Sequence, residues 1–101
     1  MLRLEPLEDR RLLTAFPNGR YADRATWRVA WWEFRAGHYG IAADMLEQAA
    51  QARPEGSSAS GFLYWAGRSR AALGESGLAT ALYQEAVRRF KHTYHGLRAA
   101  E

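Results

Sequence analysis

Displaced by 37 residues and laid against itself, the chain matches without a gap. Gly37 falls on Gly74, Ala42 on Ala79, and Ala49 on Ala86. Leu46 falls opposite Tyr83, Glu47 opposite Gln84, and Ala43 opposite Thr80. One step earlier, Pro17 meets Pro54, and Phe16 meets Arg53 and then Phe90. A period of this length belongs to arrays of small supersecondary units. One such unit cannot bury its own apolar face and relies on its neighbours. The alphabet says which kind of unit. Val and Ile total three, while alanine occurs nineteen times. Strands favour β-branched residues, and alanine is the best helix former. The expectation is an all-α chain, with small residues at helix contacts and large aromatics filling the gaps.

The spacing predicts helices over residues 23–36, 38–53, 61–73 and 76–90. In the first, Trp27, Ala30, Trp31 and Phe34 form one stripe at helical spacing. In the second, Ile41, Ala42, Met45, Leu46, Ala49 and Ala50 share a face. In the fourth, Leu78, Ala79, Leu82, Tyr83, Ala86, Val87 and Phe90 do. Gly37 and Gly74 end the first and third helices, a common role for glycine just past a C-terminus. Pro54, Gly56, Ser57 and Ser58 form a loop in which a serine can cap the next helix. Residues 2–15 read as the closing helix of an earlier unit, and 94–101 as the opening of another. The predicted architecture is a right-handed solenoid of antiparallel helix pairs. It divides into a partial repeat at 1–17, hairpins at 18–54 and 55–91, and a truncated helix at 92–101.

Several function classes fall away. With no cysteine there is no disulfide framework, thiolate zinc site or cysteine nucleophile. No run approaches the roughly 18 apolar residues of a membrane helix. Residues 1–15 carry Glu5, Glu8, Asp9, Arg10 and Arg11 and lack the apolar core of a secretory signal, so an exported form needs a signal upstream. The net charge of +3 is modest and both signs are interspersed, which implies no nucleic-acid partner. No cofactor is expected.

The repeat resembles the tetratricopeptide pattern. In Gly37-His38-Tyr39-Gly40-Ile41-Ala42, the turn glycine, the Tyr and the Ala stand at its offsets, and Leu46, Ala49 and Pro54 continue it. Gly67, Gly74, Ala79, Tyr83 and Ala86 take the same positions next. Ser76 stands where the turn Tyr belongs, Lys91 where the closing Pro belongs, and the period exceeds the usual ~34.

A narrower resemblance covers residues 16–101. Tyr64-Trp65-Ala66-Gly67-Arg68, Ala72-Leu73-Gly74, Ala81-Leu82-Tyr83 and Tyr94-His95-Gly96-Leu97-Arg98-Ala99-Ala100 resemble the helical linker of soluble lytic murein transglycosylases. His95 replaces a Tyr of that family's signature. Residues 21–31 resemble the preceding repeat. The resemblance implies a periplasmic or envelope scaffold that orients a peptidoglycan glycan strand and supports a downstream catalytic module. Those enzymes cleave the glycan without water, giving an anhydro product. The segment itself should have no lytic activity. Glu75-Ser76 imitates the first letters of the family's catalytic motif, but a hairpin turn offers a general acid no pocket. The alternative is a tetratricopeptide-type protein-interaction module of an envelope or cytoplasmic assembly, with a protein or peptide partner. Leu4-Glu5-Pro6-Leu7-Glu8-Asp9-Arg10-Arg11-Leu12-Leu13 is also similar to an N-terminal motif of large secreted surface proteins of planctomycete-type bacteria. It fits an ordinary charged helix equally well.

Trp32, Arg68 and Arg70 are the candidate binding surface. Trp32 lies about 100° off Trp31, and the two arginines sit on a first helix, the kind that lines a solenoid's concave face. Gly37, Ala42, Ala49, Gly74, Ala79 and Ala86 are the candidate packing positions of the repeat. His92 and His95 stand three apart, but no third ligand is evident and a closed zinc site needs about four. Arg88, Arg89, Lys91 and Arg98 form a basic cluster near a helix C-terminus, where cations complement the dipole.

Overall fold

The computed structural model describes residues 5–16, 21–53 and 58–90, without the side chains of 89 and 90. The expected loop at 54–57, the helix at 94–101, the histidine pair and Lys91 and Arg98 lie outside these residues. Five helices follow in order: α1 (Leu7–Ala15), α2 (Ala22–Arg35), α3 (Tyr39–Ala52), α4 (Ala59–Ala72) and α5 (Ser76–Phe90). The described residues are all-α. Each helix packs on the next, α1 on α2, α2 on α3, α3 on α4 and α4 on α5. None of the helices is long and apolar enough to cross a membrane.

The two hairpin turns have the same construction. Gly37 has φ +88° and Gly74 φ +80°, a left-handed backbone that only glycine adopts without strain. After α2, Gly37 N–H donates to Phe34 O at 3.1 Å and His38 N–H to Glu33 O at 2.8 Å. After α4, Gly74 N–H donates to Ala71 O at 3.0 Å and Glu75 N–H to Arg70 O at 2.9 Å. This double closure satisfies carbonyls that the helix end would otherwise leave bare. The expected serine cap is absent. Ser58 precedes α4 with helical backbone angles and makes no side-chain cap bond.

The core runs through four helices. Ala30, Leu46, Ala49, Ala50, Phe62, Leu63, Ala66 and Ala86 form one buried cluster, flanked by Trp27, Met45, Trp65 and Leu82. Ala42, Ala43 and Ala79 are also buried. Alanine at these positions lets helix axes approach closely.

Three expected core residues are exposed instead. Trp31 is 44% exposed, Ile41 48% and Leu78 52%. The buried face of α2 consists of Ala22, Ala25, Thr26, Val29, Ala30 and Glu33. Trp31 lies on the opposite side, nearly half a turn from the centre of that face. The aromatic stripe fills the edge between α2 and α4. Trp27 meets Phe62 at 4.9 Å, Trp31 meets Trp65 at 5.5 Å, and Phe34 meets Trp65 at 5.9 Å. Ile41 lies roughly 140° around α3 from the centre of its buried face of Ala42, Ala43, Leu46, Ala49 and Ala50. Leu78, next to buried Ala79 on α5, is turned away in the same manner.

Candidate functional site

Three places in the fold combine charge, aromatic surface and partial burial. The first lies where α1, α2 and the turn to α3 meet. Glu33 belongs to the last turn of α2, yet its side chain is only 5% exposed. Its Oε2 accepts a bond from Arg10 Nη2 at 2.5 Å, and its Oε1 lies 2.6 Å from His38 Nδ1. Arg10 also reaches Glu5, and its guanidinium lies 6.0 Å from the centre of the Trp32 ring. The His38 ring meets the same indole edge-on at 6.2 Å. Burial pushes the Glu33 carboxyl upward, but the bonds from His38 and Arg10 outweigh it and hold the group below its ordinary value.

The second place is its counterpart at the next turn, with acid and arginine exchanged. Arg70 Nε donates to Glu47 Oε2 at 2.8 Å, Nη2 to Asp44 Oδ1 at 2.8 Å, and Nη1 to Glu75 Oε1 at 3.2 Å. Its side chain is 16% exposed. Glu47 foremost, against the cost of burial and with help from Glu75 and Asp44, holds this guanidinium still more firmly protonated. Arg10, Glu33 and His38 stand 37 residues before Glu47, Arg70 and Glu75 respectively. In both turns the pair joins the third-last helical residue to the residue after the glycine. An apolar contact commonly sits there; here it is a contact between polar side chains.

The third place is the face shared by α2 and α4. Trp31 stacks on Phe34, with ring centres 5.8 Å apart and planes 4° apart, and carries Arg35 at 5.9 Å. Trp65 carries Arg68 at 4.9 Å and meets Tyr64 edge-on at 5.7 Å. Arg68 Nη1 also donates to Tyr64 Oη at 3.3 Å.

The structure therefore separates the three candidate surface residues. Trp32 is part of the Glu33 site, Arg70 is held by three carboxylates, and Arg68 alone remains on an exposed face. Arg35 and Glu33 are the residues that sequence reasoning missed. The signal for Glu33 is the exchange of acid and arginine between Arg10 and Glu47 and between Glu33 and Arg70 at an offset of 37, which a search for like residues passes over.

Among the described residues, no group of three or more His, Cys, Asp or Glu could hold a metal ion. An open groove of about 360 Å³ beneath α1 is lined by Leu13, Thr26, Met45, Gln48, Ala49, Ala52 and Arg53 and offers no carboxylate. Glu75 is engaged by Arg70 at the turn. No protein-family model and no curated protein matches the chain.

Proposed function

We propose that this chain is a segment of a helical-hairpin solenoid that works as a non-catalytic protein-interaction scaffold. The observation that carries the reading is a match of backbone bonding, residue for residue, at an offset of 37. Helix α2 moved by that offset has the bounds of α4. The bonds Gly37 to Phe34, His38 to Glu33 and Ala42 to His38 correspond to Gly74 to Ala71, Glu75 to Arg70 and Ala79 to Glu75. The bond Ala25 to Tyr21 corresponds to Phe62 to Ser58, and Phe16 to Leu12 corresponds to Arg53 to Ala49. The last pair supports reading α1 as the closing helix of an earlier unit, as α3 closes the next. Ala43 is buried and Thr80 exposed. That difference fits an array, since α3 lies between two helices while α5 has α4 as its partner among the described elements.

The register is testable by overpacking. Ala42 is fully buried and Ala79 is 3% exposed. Each replaced by Leu should destabilise by about 1 kcal/mol or more, because a packed contact must open. Ser60 at the start of α4 looks in sequence like a mild control site, but it is 1% exposed. Exposed Ala81 on α5 is the proper control, with an effect within about 0.5 kcal/mol. Unchanged thermal melting in both Ala42→Leu and Ala79→Leu would remove the repeat reading.

A second reading, the glycan-orienting scaffold of a lytic transglycosylase in the cell envelope, is favoured by the Tyr64 to Arg68 motif. Tyr64, Trp65 and Arg68 form one interlocked group, and Gly67 makes room for Tyr83. These are packing roles that a repeat of either kind can use. Co-sedimentation with purified peptidoglycan sacculi separates the two. The adaptor reading expects the chain to stay in the supernatant. Saturable pelleting would replace it with the glycan scaffold.

A further inference from the structure

We infer that the α2/α4 face is a docking surface for an acidic peptide segment, held by Arg35 and Arg68. The inference deepens the adaptor reading and rests on it. Its ground is an inventory of the arginines. Arg10, Arg11, Arg28, Arg53, Arg70 and Arg88 each pair with a carboxylate. Arg24, Arg35 and Arg68 have no carboxylate partner among the described residues. Two of these three lie over the two indoles of a single pair, whose ring centres are 5.5 Å apart. Helix α4 contains no acidic residue, and the carboxylates of α2 are turned to other work. Asp23 binds Arg53, and Glu33 is buried beneath α1. The face is cationic and aromatic with no internal counter-ion.

Charge complementarity selects an anionic partner, and the rings narrow its kind. A sugar stacks on a free indole face. Here Arg35 lies over Trp31, whose ring already stacks on Phe34, and Arg68 lies over Trp65. The indoles instead hold the guanidinium groups in place, which lowers the ordering cost of binding. A planar guanidinium matches a carboxylate through two parallel bonds. Half-exposed Trp31 adds apolar contact for neighbouring side chains. Nucleic-acid binding calls for a continuous basic stripe along a phosphate backbone; here Arg28, between Arg24 and Arg35 on this side of α2, is paired with Asp9 and interrupts it.

The test is fluorescence anisotropy of a labelled oligoglutamate peptide with the full chain at low salt. Arg35→Gln with Arg68→Gln should weaken binding about tenfold, because truncating groups that pair directly with the ligand acts on dissociation. Arg11→Gln with Arg88→Gln removes the same charge from α1 and α5 and should change binding by less than about twofold, as remote charges are screened. Circular dichroism confirms that both double variants fold. Equal losses in the two pairs would overturn the proposal, as non-specific attraction to a basic protein. Tighter binding of single-stranded DNA or a chitooligosaccharide than of oligoglutamate would overturn it too. The melting test at Ala42 and Ala79 is independent, so failure here leaves the repeat reading standing.

Discussion

Arg10→Met should destabilise the fold by about 3 kcal/mol at neutral pH, read from the urea midpoint. Met keeps the apolar stem and removes the charge. What remains is the Glu33 carboxylate, 5% exposed, facing only the imidazole of His38, which is charged only if protonated. Breaking a buried pair from one side costs ~3–5 kcal/mol, because the surviving charge is desolvated and uncompensated. The low end applies here, since Arg10 is itself a third exposed. Arg10→Met combined with Glu33→Leu should recover most of the loss, because no buried charge is then left alone.

The pH dependence gives a sharper check. In the native chain the Glu33 carboxyl is held below the ordinary value of 4.5. Below that pH the unfolded chain takes up a proton that the folded chain refuses. The stabilisation is therefore present above 4.5 and is lost as pH falls through the lowered folded value. Without Arg10, burial is opposed by His38 alone, and the carboxyl should move up from its native value. The folded variant then takes up the proton at a higher pH than the native fold does, and it loses less stability on acidification. The two stabilities should converge on acidification. A difference that stays constant as pH falls through the carboxylate range, to about pH 3, would exclude the buried pair as its source.

The contrast between Glu33 and the hairpin turns marks where sequence reasoning stops. Gly37 and Gly74 were legible because a left-handed residue after a helix has few chemical solutions, and glycine is the main one. The alanines at 42, 49, 79 and 86 recur in register, and all four are buried. Glu33 sits in Trp-Trp-Glu-Phe, where periodicity assigned the inside to the rings. Nothing local reveals a cation arriving from Arg10, 23 positions away. Arg68 and Arg70 looked alike for the same reason. Only the fold brings Asp44 and Glu47 to Arg70, leaving Arg68 on an exposed face. Helix existence and turn chemistry are local properties. The sign of a helix face and the pairing of a charge are decided by which elements become neighbours, and the 37-residue register was the one long-range clue. That register also shows where the two hairpins solved one packing problem differently, and from this the largest coupling follows.

Gly67→Ala should destabilise the native chain by about 2 kcal/mol and stabilise a Tyr83→Leu background by up to ~1 kcal/mol. Gly67 lies inside α4, where glycine is about 1 kcal/mol worse than alanine. Its persistence there needs a reason, and the Tyr83 ring supplies it. A Cβ at position 67 would stand 2.6 Å from Tyr83 Cε1 and 2.8 Å from Cδ1. The ring is also pinned, packing against Tyr64 at 5.7 Å. It cannot swing aside freely, so overpacking costs toward the upper end of ~1–3 kcal/mol, less the helix gain. Moved back by 37 residues, the same pair of positions holds Ala30 and Leu46, both members of the buried cluster. One hairpin uses a methyl against an isobutyl group; the other uses a hydrogen against a phenol. Shortening Tyr83 to Leu rebuilds the first solution in the second place, and alanine at 67 then contributes its helix preference without the clash. The cycle of two single variants and the double, read by urea unfolding, should give a coupling of about 3 kcal/mol, the upper end for residues in contact. Additive effects would mean that Gly67 and Tyr83 do not share this contact, and the correspondence between the two hairpins would fail at its closest approach.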